Sequence, residues 1–174
     1  MSWIKTSFLW MMYRSGWGTK PDQEVILAIR LKTDFFDAVL SKAVVTAHAP
    51  ALWPNVEEWQ RAGQKADVRV QWDPDRGPRG GRVQRRAIQL GLRGALLREY
   101  AKNAILDIED ITDFVAEQRP VADRGSYSRL ITPHEAIYRP SASGISGQIG
   151  LDSHLGNCDL NVIWSVKPRN KQQQ

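Results

Sequence analysis

The sequence predicts an α+β (mixed α/β) fold, a small central sheet with helices packed on it, and three observations carry that expectation. Val25–Leu31 is an almost continuous apolar run of strand length, the pattern of a strand covered on both faces. Val68, Val70 and Trp72 alternate with Arg69, Gln71 and Asp73, a period of two with one buried face. Around these runs lie stretches with helical starts and stops. A length of 174 residues, 42% hydrophobic and 25% charged, suits one domain with one core.

Taken in order, the first element is a helix from about Ser7 to Ser15, ended by Gly16. It is apolar nearly all round, so it should be buried. Trp3, Trp10 and Trp17 recur every seven residues, but Gly16 breaks the helix before Trp17, and aromatic core is the preferred reading over a ligand cage. Lys20-Pro21-Asp22 is a turn. After the Val25–Leu31 strand, Thr33-Asp34 caps a helix running to about Val45, with Phe35, Phe36, Val39 and Leu40 inward. Pro50 and Pro54 bracket a loop. Asn55 caps a short helix, with Glu58 at the capping-box position and Trp59 inward.

The strand at Val68–Asp73 leads into Asp73-Pro74-Asp75-Arg76-Gly77. This reads as a turn, because Pro74 presets φ and Asp73 can bond the following backbone. Pro78–Arg82 prolongs it as a flexible basic loop. Arg86–Leu92 returns as a strand, Ala95–Asn103 as a helix and Ile105–Ile108 as a short strand beside Asp107, Glu109, Asp110 and Asp113. From Arg119 to Gln174 apolar residues thin out and only Asn161–Val166 looks like a strand. Residues 1–118 are therefore expected as the domain and 119–174 as a weakly ordered tail.

Composition narrows the function classes. A single cysteine, Cys158, excludes a disulfide framework and a Cys-based zinc site, and fits a reducing compartment. His48, His134 and His154 are too scattered for a metal motif, so no metal and no cofactor is expected. The longest apolar run, Phe8–Tyr13, falls far short of the roughly 20 residues that span a bilayer. A soluble, cytoplasmic or nuclear protein without a membrane partner is the expectation. The net charge is +5, and Arg61–Lys102 holds eleven Lys or Arg against four acids. A basic segment on a near-neutral body points to a polyanion, a nucleotide or a nucleic acid, or else to a solvated arginine-rich loop.

Several stretches resemble the domain-of-unknown-function 4291 family. They are Trp3–Trp17 (WIKTSFLWMMYRSGW), Lys20 with Gln23-Glu24, Leu27-Ala28-Ile29, Val68–Arg76 (VRVQWDPDR), Arg86 with Ile88–Leu92, and Asp110-Ile111-Thr112. The tryptophan-rich opening and the QWDPDR segment are the specific ones. Three departures accompany the resemblance. The family's usual opening stretch has no counterpart here, Thr6 stands where proline is usual, and the part beyond Arg119 is unlike the family's ending. The resemblance implies a mixed α/β fold, here with an N-terminally truncated and so incomplete sheet, and gives no settled activity. Element order alone is similar to ADP-ribosyltransferase-type folds, an analogy of fold.

Two functional readings stay open. In the first, Lys5, Arg14, Lys20, Arg76 and Arg86 converge on phosphate, where guanidinium binds bidentately, with Arg79, Arg82 and Arg85 as additional basic surface. In the second, a nucleotide-dependent transferase, Glu24 or Asp73 acts as acid or base. The scaffold alternative has Asp73 holding a turn, preferred because of Pro74, and Glu24 pairing with Lys20. An inactive truncated form is a third option. The first helix, apolar on most sides, is expected to leave Trp3, Phe8 or Met11 partly exposed, for a protein partner or self-association to cover.

Overall fold

A computed structural model of the chain describes residues 1–136, 138–141, 144, 145, 149 and 150, and the backbone of 162–167. The first element is a strand that no sequence pattern announced, β1 (Ser2–Lys5). Ser7 then takes extended backbone and its hydroxyl accepts from Trp10 N, capping α1 (Phe8–Ser15). Gly16 closes the helix at φ 59°, a left-handed turn that a side chain would strain, with its N–H on the Met12 carbonyl.

β2 (Val25–Leu31) follows the apolar run. The helix expected through Val45 is corrected: α2 (Thr33–Ser41) stops early, and Ala43–Val45 is a strand, β3, parallel to Val68–Val70. Its β-branched residues and alternating burial favour a strand over a further helical turn. Asn55 caps α3 (Val56–Lys65), its side-chain oxygen accepting from Glu57 N and Glu58 N. The Trp59 indole donates to Val45 O at 2.8 Å, tying α3 to β3.

The turn expected at Asp73–Gly77 is also corrected. β4 (Val68–Arg76) runs straight through it and pairs with β5 (Arg82–Leu92) as a long hairpin. Pro74 is tolerated because it is exposed and sits at a register shift, where a missing N–H breaks no ladder bond. The reversal is made by Gly77–Gly81, with Gly80 at φ 71°. The single helix expected over Ala95–Asn103 is α4 (Gly94–Glu99) followed by a π-helical turn, Tyr100–Ala104. β6 (Ile105–Asp110) and α5 (Thr112–Asp123) follow, and β7 (Val162–Lys167) is a further strand.

These strands form one mixed sheet in the order β3-β4-β5-β1-β7-β2-β6, antiparallel except for β3 with β4. The three strands read from patterning share this sheet because each has a face it cannot bury alone. One face carries Ile4, Ile29, Val68, Val70, Leu90 and Leu92 against Phe36, Val39 and Leu40 of α2. The other carries Ile26 beneath Phe8, Met11 and Met12 of α1 and Val115 of α5.

The expected exposure of the first helix is corrected here. Phe8 and Met11 are 0% and 1% exposed, and only Trp3 of the three is half-buried. Trp17 meets Phe8 edge-on at 6.1 Å, and Phe114 of α5 approaches it from another side at 6.1 Å. Apolar residues from beyond the helix thus supply the cover.

The boundary drawn between 118 and 119 falls inside α5. Past it, Gln118 accepts from Ile131 N, and the Glu135 carboxylate accepts from Phe8 N at the start of α1. Tyr138 OH donates to Asp37 at 2.7 Å, and the Trp72 indole donates to Ile149 O at 2.7 Å. Ile145 and Ile149 join the α2-side core. His154, Cys158 and 171–174 lie outside the described residues. Among the described residues no helix is long and apolar enough to cross a membrane.

Candidate functional site

Strand register assembles the site. Gln71 of β4, Gln89 of β5 and Lys5 of β1 are successive cross-strand partners, and the row continues through 164 of β7 to Ala28 of β2. Partners in one row share a sheet face. Ala28 lies on the α1 side, so the side chains of Lys5, Gln71 and Gln89 lie on that side too. Asp73, two residues beyond Gln71, joins them. Its two carboxylate oxygens accept one from the Gln71 amide at 3.1 Å and the other from the Gln89 amide at 2.8 Å. The role of Asp73 as turn holder is therefore corrected: it is a mid-strand anion that orients two amides.

Lys5 is half-buried, its ammonium 5.7 Å from the centre of the Trp10 ring. Burial pushes its pKa below the ordinary lysine value. The nearby Arg14 guanidinium lowers it further, and the Asp73 carboxylate partly offsets both. Arg14 itself is exposed on the last turn of α1.

Arg76, at the start of the turn, stacks on Tyr13 of α1 with its guanidinium 3.7 Å from the ring centre, and donates to Gly80 O at 3.1 Å. Arg79, at the tip, lies 5.5 Å from the ring centre of Tyr127. A line of three cation–aromatic pairs thus runs from β1 to the hairpin tip: Lys5 with Trp10, Arg76 with Tyr13, Arg79 with Tyr127.

One buried carboxylate supports this line and was missed from the sequence. Asp75, 1% exposed, accepts from Ser7 Oγ at 2.6 Å and from Arg76 N at 2.8 Å through one oxygen. Its other oxygen takes Arg85 Nε at 2.8 Å and Nη2 at 2.6 Å. The N-cap of α1 and both strands of the hairpin therefore meet on one charge-assisted node. An aspartate assigned to a turn gave no signal of burial. Tyr13 was missed because its helix read as core, although its three-residue spacing from Trp10 places both on one side.

The single phosphate cluster expected from the sequence is corrected in two places. Arg86 lies on the opposite sheet face, stacked 4.7 Å from the centre of Trp72 and donating to Gly150 O at 2.6 Å. Lys20 donates to Arg14 O at 2.7 Å and so serves the helix C-terminus. Glu24 precedes β2, on the order of 10 Å along the strand from Ala28 at a rise of about 3.3 Å per residue. Arg82 is exposed, facing Arg76 across the hairpin.

A cleft of about 380 Å³ opens on the same sheet face at its far end, between β2, β6 and the start of α5. Asp107 and Glu109 give it acidic walls, with Arg30 3.9 Å from Asp107 and Ile111 and Phe114 as apolar lining. None of the residues nominated from the sequence lines it. Among the described residues no group of three or more His, Cys, Asp or Glu is placed to hold a metal.

No curated protein and no solved structure matches this chain. A family model does match it over residues 1–138, from β1 through α5 to the segment that meets α2. That span holds every residue of the cation–aromatic line and the Asp75 node, and the chain belongs to the family described as Domain of unknown function (DUF4291).

Proposed function

We propose that this chain is a nucleotide- or nucleic-acid-binding module whose working surface is the α1 side of the sheet and the β4–β5 hairpin. The supporting observation is the line of three cation–aromatic pairs. Single strands favour surfaces of this make-up, because phosphates meet cations while unstacked bases lie on aromatic or guanidinium planes. Tyr13 keeps 49% of its surface open, so a base has a plane to reach. Residues 76–86 carry five arginines and no acid, and Arg79 and Arg82 are exposed.

Binding of labelled single-stranded RNA and DNA, followed by anisotropy across a salt series, tests the reading. Arg79→Ser with Arg82→Ser should weaken binding about tenfold or more. Losing two phosphate contacts should also flatten the salt slope by about 1.4 for a single strand. Arg85 is unsuitable for this test, because removing it strands the buried Asp75. Binding that is unchanged in the double variant, in affinity and in slope, would sink the proposal.

A further inference from the structure

We propose that the free edge of β6 takes an added strand, an extended segment of a partner protein in which apolar residues alternate with lysine or arginine. This surface lies at the far end of the sheet from β3 and the hairpin, and it stands independently of the cation–aromatic line.

The two edges of the sheet are finished differently. β3 closes one of them and is only three residues long. Thr46 N donates to Val70 O, so the preceding carbonyl, that of Val45, points away from β4. It is taken by the Trp59 indole at 2.8 Å and the Arg69 guanidinium at 3.4 Å. Short length and side-chain cover protect a sheet edge against foreign strands. β6 closes the other edge, and every residue from Leu106 to Asp110 is exposed. It carries no proline and no lysine, and its register shift falls at the Ile105 end. Ile111 N donates to Ile26 O, which fixes the phase of the ladder. Asp107 and Glu109 turn their backbone groups to β2, and Ile108 turns its N–H and C=O outward. Among the described residues no strand pairs with that side.

Side chains set what kind of strand fits. Ile108 is the cross-strand partner of Ile29 and so stands on the α2 side, 53% exposed, with Leu106 nearby at 56%. A residue placed opposite Ile108 shares its face, and an apolar one covers it. The neighbours of that residue fall on the α1 side, opposite Asp107 and Glu109, which partner Arg30 and Ala28. Arg30 approaches Asp107 at 3.9 Å and offsets its charge. Glu109 has no ion pair and no side-chain hydrogen bond among the described residues. A negative charge is therefore left over on this face, and a lysine or arginine opposite Glu109 answers it. The cleft lies beside these acids, and Ile111 and Phe114 line it for the aliphatic stem of such a side chain. Backbone bonds then supply affinity, and the cleft selects the side chain. A second copy of this chain fits poorly. Two β6 strands paired antiparallel about Ile108 would set Asp107 against Glu109 on both sides of the centre.

The experiment uses the whole chain and a short labelled peptide of alternating lysine and valine. The controls are a peptide of the same composition with its lysines and valines in separate blocks, and one of alternating glutamate and valine. The alternating lysine peptide should bind about tenfold more tightly than either control. The Ile108 amide should exchange with solvent about tenfold more slowly once that peptide is bound, a change that side-chain attraction alone does not produce. Ile108→Lys and Glu109→Lys should each weaken binding about tenfold, and both positions are exposed, so both variants keep the fold. Arg79→Ser with Arg82→Ser should leave binding within about twofold, which separates this edge from the hairpin surface. Equal binding of the two lysine peptides, or binding that survives both β6 variants, overturns the proposal. So does an Ile108 amide already slow to exchange without peptide, because another part of this chain then holds the edge. A dimer that Ile108→Lys dissolves makes a second copy the occupant and overturns it too.

Discussion

At the scale of single residues, the role proposed for Lys5 stands against stability. Its amine is more easily deprotonated in the fold than in the unfolded chain, where it titrates near 10.5, because burial and Arg14 disfavour the charge. The unfolded state therefore holds the proton more firmly. The penalty is present in full at neutral pH and lifts as pH rises through the folded value toward 10.5. Lys5→Met should raise stability by about 1 kcal/mol at pH 7, with the gap closing as pH approaches 10.5. Urea melts at pH 7 and pH 10 check this, and a variant less stable than the parent at pH 7 would refute it. Resemblance to the family brought Lys5, Arg14 and Arg76 into view from sequence. The role of Asp73 was read wrongly, because local turn chemistry at Pro74 was weighed without knowledge of the strand partner that carries Gln89. Burial of Asp75 depends on Ser7, 68 positions away, and no local pattern encodes so distant a partner.

At the scale of elements, α1 and the β4–β5 hairpin behave as one part. Ser7 caps the helix and also donates to Asp75, which in turn holds Arg85 on the returning strand. Stacking of Arg76 on Tyr13 adds a second tie two helical turns away. Asp75→Ala would leave Ser7 and Arg85 without their shared acceptor. A loss of about 3 kcal/mol is expected, tempered because Arg85 is 45% exposed and can turn to water. Thermal melting measures the loss, and hydrogen exchange should report faster opening of 74–84 than of 88–92. A shift below about 0.5 kcal/mol would mean that the node does not join the two elements. The elements themselves were largely legible: β2 and the start and stop of α1 fell where the pattern put them. β3 and the second half of β4 did not. β3 is only three residues long, and β4 is carried through a proline by its pairing with β5.

At the scale of the whole molecule, charge is separated along one sheet face. The hairpin end is arginine-rich, while β6 at the other end carries Asp107 and Glu109 at the cleft. If the proposed surface binds a polyanion, this separation would draw it to one end and repel it from the other. The rest of the fold is closed by a clasp on the opposite face. Asp37 of α2 accepts from Tyr138 OH and from both the N–H and hydroxyl of Ser141. Burial alone would raise the Asp37 pKa, but these bonds outweigh it and hold the carboxyl below its ordinary 3.8. Its contribution is present above that value and lost as pH falls through the lower folded one. Asp37→Asn should cost about 2 kcal/mol at pH 7, and variant and parent should converge below about pH 3.8. Parallel stability curves down to pH 2 would show that the clasp does not depend on the charge.

The position of β1 has a consequence in time. Ser2–Lys5 lies inside the sheet, paired to 89–92 on one edge and to 164 on the other. A chain leaving the ribosome at about 5–20 residues per second makes β1 roughly 8–30 s before the strand that completes its pairing. Until then one edge of β1 offers its unpaired amides and carbonyls to any passing strand. Synthesis rate and chaperone supply, more than equilibrium stability, should therefore govern how much of this protein reaches its native sheet.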